Sequence, residues 1–262
     1  MEIIKFNPGI HINPTTQPMG FQYGPTVFGP AVENRTLESI RKSLHNPECS
    51  GPDPVYSIAM DVGKNEHLEI LQNLHLLFGV VTYASGRLGN EPVRSQGHVH
   101  KVSLLSNWST PEVYEIWSGK AIIYMQETDQ DDPGRCFAVE AGPGEVVIVP
   151  PGWAHATISA DPEQPLTFGA WCDRDYGFEY KGVRKHRGLA WFPVIDADGK
   201  ISWLQNPKYI RRDLQIKKPG DYSALGLKNG EPIYSQFEEN HHLFQFVPFP
   251  DIKKNEWEQF VP

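Results

Sequence analysis

Gly97-His98-Val99-His100, Pro111-Glu112-Val113-Tyr114 and Pro150-Pro151-Gly152-Trp153-Ala154-His155 are the stretches on which the reading of this chain turns. Alternation along a strand puts residues i and i+2 on one face. His98 and His100 therefore point together and Val99 points away. Glu112 and Tyr114 repeat that geometry on another strand. His155 follows a rigid Pro-Pro-Gly turn, which places it at the start of a strand. Three imidazoles and a carboxylate, with no thiolate, suit Fe(II), Mn(II), Ni(II) or Zn(II). A lone histidine is more often a surface or hydrogen-bonded core residue. An H-x-H pair followed by two such strand motifs instead predicts one metal centre.

Outward from these stretches the period is that of strands. The run 77–83 is apolar and β-branched, and Gly86 and Gly89 then turn the chain. A β segment at 113–126 is interrupted by Ser118-Gly119. Shorter strands follow at 136–139, 145–149, 156–159 and 166–171, each bounded by Gly or Pro, and the acidic run 129–132 is a solvated turn. Strands at this spacing imply a sandwich or barrel. There is no βαβ alternation and no GxGxxG, so a dinucleotide fold is not expected.

Residues 1–33 read as an extended arm with one or two short strands. Asn34 is the expected cap of a helix over 35–45, and a second helix is expected over 65–75 with Leu68, Leu71 and Leu74 on its apolar side. A hairpin over 188–207 turns at Asp196-Ala197-Asp198-Gly199. In the tail, Gln236-Phe237 and 243–249 look strand-like, with Pro248 and Pro250 placing the latter at an edge. His241-His242 reads as a surface pair. The whole is expected to be one domain over 1–262: an arm with helices over 1–75, a barrel over about 76–210, and an extension over 211–262.

Composition narrows the class. The 262 residues include 23 Gly and 23 Pro, which fits β structure with many turns. The net charge of −8 argues against nucleic acid or an acidic membrane as partner. Cys49, Cys136 and Cys172 are too few and too scattered for a disulfide framework. The N-terminal residues carry no signal-like apolar core, and no run is long enough to span a membrane. The expectation is a soluble, cytoplasmic protein.

The motifs resemble a known family. Gly97-His98-x-His100, Glu112-x6-Gly119 and Gly144-x5-Pro150-x-Gly152-x2-His155 resemble the two cupin motifs. Ser95-Gln96 before them, Ser118-Gly119-Lys120, Trp153-Ala154-His155 and Asp175-Tyr176-Gly177 are similar to the cupin-type glucose-6-phosphate isomerases of archaea and some bacteria. The resemblance covers about 76–210. It implies a mainly all-β, double-stranded β-helix (a jelly-roll barrel) with peripheral helices, and a homodimer. It implies one divalent ion per subunit, Fe2+ foremost, on His98, His100, Glu112 and His155. It also implies aldose–ketose interconversion of glucose 6-phosphate and fructose 6-phosphate. Thr82, Ser95 and the Gly97 N–H correspond to the family's phosphate-side positions.

The chain departs from the family pattern in three places. An insertion containing Ser106-Asn107-Trp108 widens the turn between His100 and Glu112. Glu115 is the rival carboxylate, but it would face opposite to Tyr114. Gly152 replaces an aromatic residue, and 171–174 lacks the family's tyrosine and histidine. Arg174 stands in the histidine's place as an expected cationic clamp, with Tyr176 a further phosphate or sugar contact.

Ketol isomerisation moves a hydrogen between C1 and C2 and a proton between two oxygens. A divalent ion stabilises the charge that develops there. Glu112 is the candidate base and Tyr114 the candidate proton shuttle. A direct hydride shift would need no base, and both routes stay open. So do two other classes: another metal-cupin enzyme such as a dioxygenase, and a non-catalytic sugar-binding cupin.

Overall fold

The strand Leu76–Tyr83 lies inside a six-stranded antiparallel sheet, and all eight of its residues are buried. The computed structural model describes residues 6–175 and 177–262. Across the six-stranded sheet the order is Val146–Val149, Glu112–Ser118, Leu166–Asp173, Leu76–Tyr83, Tyr56–Met60 and Glu33–Arg35. A second sheet orders Ala154–Ser159, Ala121–Gln126, Cys136–Ala141 and Leu214–Lys217. The last strand joins in parallel. The molecule is mainly β, and the two sheets face each other as the walls of a cupin barrel.

The core between the sheets is built from alternate residues. Leu77, Val81 and Tyr83 meet Tyr114, Ile116, Ile123, Phe137 and Phe168 inside. The intervening residues Phe78, Val80, Val113, Trp117 and Trp171 face the other way, and they are buried too. Their cover is the C-terminal extension, which lays Tyr234, Phe237, Phe244 and Phe246 on them. A sheet apolar on both faces must be covered on both faces, which explains why its strands read as continuous apolar runs.

Several expectations need correction. Asn34 caps no helix; it sits in the strand Glu33–Arg35 and its side chain accepts a hydrogen bond from Ser57. Thr36 is the cap instead, accepting from the Ser39 N–H, and the helix Leu37–Ile40 gives way at once to a 3-10 turn over Arg41–Ser43. The second helix is shorter than expected, a 3-10 turn over Asn65–His67 followed by Leu68–Asn73, and Leu68 is exposed. The tail carries no strand at the two expected places. Ile233–Glu239 is a helix that buries Ile233, Tyr234 and Phe237, a helical spacing, and 241–248 runs in turns. The sheets also reach beyond 76–210, taking in 33–35, 56–60 and 214–217. The hairpin Trp191–Ile195 with Ile201–Gln205 is as expected. Among the described residues no helix is long and apolar enough to cross a membrane.

Candidate metal centre and substrate cavity

Two chain reversals bring the histidines together. Gly97 takes φ +86°, a conformation that L side chains rarely adopt, and a Cβ there would also strike Leu189. Behind this turn the His98 N–H donates to the His155 carbonyl at 3.0 Å, and the His155 N–H returns a bond to His98 at 2.9 Å. This bridge sets the rings of His98 and His155 with centroids 4.4 Å apart. His100 follows two residues on, 5.1 Å from His155.

Glu112 comes from the facing sheet. Its Oε2 lies 3.2 Å from His100 Nε2 and 3.4 Å from His155 Nε2. One ligand atom from each of His98, His100, Glu112 and His155 falls within 4.8 Å of the others, a group able to hold a metal ion. The remaining ring nitrogens fix the tautomers. His100 Nδ1 is 2.9 Å from the Thr110 carbonyl and His155 Nδ1 is 3.0 Å from the Trp153 carbonyl. A carbonyl only accepts, so both Nδ1 atoms are protonated and both Nε2 lone pairs point inward. The Nε2 atoms of His98 and His100 are buried with no hydrogen-bond partner among the described residues. Burial, then the His155 and His100 rings, hold His98 well below its ordinary pKa, so it too presents a neutral nitrogen. Orphaned lone pairs around an anionic oxygen fit a divalent cation.

The carboxylate is held on both oxygens. The Tyr114 hydroxyl donates to Oε2 at 2.6 Å, and the Cys172 thiol donates to Oε1 at 3.4 Å. Burial alone would raise the Glu112 pKa, but the His100 and His155 rings beside it outweigh burial and hold it well below the carboxylate range. Burial, then the neighbouring Glu112 charge, keep Tyr114 and Cys172 protonated.

His98 and Glu112, with Tyr114 and Cys172, line a cavity of about 50 Å³. Tyr56, Tyr83, Phe168, Phe178 and Tyr180 form much of its wall. An aromatic wall with a few convergent polar groups is the kind of lining that suits a small organic ligand.

Of the other expected contacts among the described residues, only Ser95 lines this cavity. Thr82 lies between Val81 and Tyr83, and alternation turns it away; its hydroxyl meets Thr167 at 3.0 Å. Gly97 serves as the turn and does not line the cavity. Arg174 is engaged elsewhere, with both terminal nitrogens 2.8 Å from Asp61 and one also donating to the Leu76 carbonyl. It is no free clamp at this wall. Tyr176 lies outside the described residues. Glu115, the rival carboxylate, faces the opposite side, where it accepts from Trp117 Nε1 and the Ile233 N–H.

Sequence reasoning missed Arg35, Tyr56, Cys172 and Tyr180 as cavity residues. Cys172 was open to discovery: Val113 pairs with Trp171, which sets Cys172 opposite Glu112.

The match to a known family decides the class. The model of the family "Glucose-6-phosphate isomerase (GPI)" covers residues 37–212, about two thirds of the chain. The chain belongs to this family, in its archaeal-type cupin branch. Curated relatives agree. The glucose-6-phosphate isomerase of Thermococcus litoralis is 32% identical over 134 residues, which are 51% of this chain and 64% of that protein. That of Thermococcus kodakarensis is 31% identical over 134 residues, 51% of this chain and 65% of that protein. The match thus spans just under two thirds of the relatives' own length. Among solved structures, a single-site mutant of Bacillus subtilis oxalate decarboxylase is 17% identical with a TM-score of 0.33, covering 50% of this chain and 29% of that one. Hazelnut vicilin is 13% identical with a TM-score of 0.36, covering 50% and 33%. Overlap of that size adds nothing to the assignment, which stands on the family match and the sheet topology.

Proposed function

We propose that the chain is a metal-dependent aldose–ketose isomerase that interconverts glucose 6-phosphate and fructose 6-phosphate. One observation carries this reading: in a chain of the glucose-6-phosphate isomerase family, three inward imidazole nitrogens and one carboxylate converge, and His98 and Glu112 among them line an aromatic-walled cavity.

His98, His100, Glu112 and His155 would hold one divalent ion, with Fe2+ first and Mn2+, Ni2+ or Zn2+ as alternatives. When bound, that ion supplies Lewis-acid stabilisation of charge developing on the sugar's C1 and C2 oxygens. The chain's own groups manage protons. In this reading Glu112 takes the proton from C2 of the aldose while Tyr114, bonded to it, gives its hydroxyl proton to the C1 oxygen; Glu112 then returns its proton to C1 as Tyr114 recovers one from the C2 oxygen. The thiol of Cys172 steadies the far oxygen of Glu112. Phe178, against the His98 ring at 4.3 Å, limits water at the same end. The working unit in this reading is a cytoplasmic homodimer.

The test joins elemental analysis of the purified protein to two assays. Turnover of fructose 6-phosphate, read by a coupled dehydrogenase, is expected together with about one divalent ion per chain. Oxygen uptake in place of isomerisation would mark a metal-cupin oxygenase, and ligand binding without turnover a sugar-binding protein. Either result overturns the isomerase.

A further inference from the structure

We infer that Arg35 is the cation that receives the substrate's phosphate, with Glu33 as the internal carboxylate the phosphate displaces. This role rests on the isomerase reading above. Arg35 lies before residue 37, where the family match begins. It ends the strand Glu33–Arg35, which extends the six-stranded sheet by pairing with Tyr56–Met60, Arg35 opposite Tyr56.

That added strand brings Arg35 into the wall of the cavity that His98 and Glu112 also line. Among the described residues it is the only Lys or Arg in that wall. The hydroxyls of Tyr56 and Tyr180 are its electrostatic neighbours, and its charge is also felt at His98. The other arginines nearby are committed. Arg94 is buried and bound to Glu91 and to the Ser43 and Ser95 carbonyls. Arg174 is clamped by Asp61. Arg184 holds Gln96 and lies over the Tyr180 ring, 4.8 Å from its centroid.

On a chain of net charge −8, an anion needs a local cation to enter. Arg35 is one-quarter exposed and its ion-pair partner, Glu33, is more than half exposed. An exposed carboxylate two residues away is a weak competitor, because solvent screens the pair. A phosphomonoester brings nearly two charges and three acceptor oxygens to the same guanidinium fork. The ligand class is therefore a sugar phosphate rather than a neutral sugar, and displacement of Glu33 is part of binding.

The experiment measures KM and kcat for fructose 6-phosphate, and titrates the metal-loaded protein with inorganic phosphate by calorimetry. For Arg35→Ala, KM is expected to rise about tenfold or more with kcat nearly unchanged, and phosphate affinity to fall in parallel. Arg35→Lys should recover part of that loss, because the charge remains without the fork. Glu33→Gln should move KM the opposite way, down about twofold or more, because the competitor is gone. Unchanged phosphate affinity in Arg35→Ala and Arg35→Lys overturns the inference. So does a rise in KM for Glu33→Gln, which is what a purely structural ion pair would give. If the wild-type protein turns over no sugar phosphate yet binds inorganic phosphate through Arg35, the anion site stands and the isomerase reading falls.

Discussion

The Ile233 backbone N–H donates to the Glu115 carboxylate at 2.8 Å, fixing the first turn of a C-terminal helix to the outer face of the barrel. Burial pushes the Glu115 pKa up to about 8, against the opposing pull of the Ile233 and Trp117 hydrogen bonds. Between the ordinary value of 4.5 and about 8, the folded chain holds a proton that the unfolded chain releases. Stability therefore falls as pH rises through that window, by at most about 1.4 kcal/mol per pH unit. Glu115→Gln should flatten this slope in urea titrations at pH 5 to 8. An unaltered slope would assign the titration to another group.

The convergence of Nε2 atoms makes a prediction about metal content. Replacing both His98 and His100 by Ala should lower metal affinity by at least about tenfold, measured by elemental analysis after dialysis. Glu115→Gln should retain the ion, since its side chain lies on the other face. Equal loss in both variants would contradict the site.

Tyr114 reaches Glu112 across 2.6 Å, so Tyr114→Phe removes the hydroxyl and its proton while keeping the ring. Turnover should fall about a hundredfold with bound metal unchanged. A variant with full activity would reduce Tyr114 to a packing residue.

Arg174 binds Asp61 through two parallel bonds on a partly exposed surface. Arg174→Ala should cost about 1 kcal/mol, lowering Tm by a few degrees, because solvent weakens such pairs. KM for fructose 6-phosphate should stay within about twofold of wild type. A large rise in KM would return Arg174 to the anion site.

The barrel and the convergence of His98, His100, Glu112 and His155 were readable because both depend on local rules. Alternation paired His98 with His100 and turned Glu115 away from Tyr114, and the Pro-Pro-Gly turn announced the strand of His155. The same rule, applied to Thr82, would have removed it from the cavity, since Val81 and Tyr83 are the inward pair. Arg35 was out of reach for a different reason. Its place depends on which strand adds to the sheet edge, a pairing between segments 21 or more residues apart that no local pattern encodes. The tail misled because Phe237, Phe244 and Phe246 are apolar in either element; only their packing on Trp171 and Phe78 selects helix and turns.

The segment 101–111 leaves the barrel and returns, exposing Val102 and Leu104, while Ser109 ties its base to the His100 carbonyl. A change of length at its exposed tip would leave the flanking strands in register. The neighbouring strand Glu112–Ser118 allows no such freedom. One inserted codon between Glu112 and the Val113–Trp171 pairing would rotate the acid onto the aromatic side and leave three imidazoles without their counter-charge. Over generations, then, the loop is where lineages of this protein can diverge, and the strand is where they are held to a count.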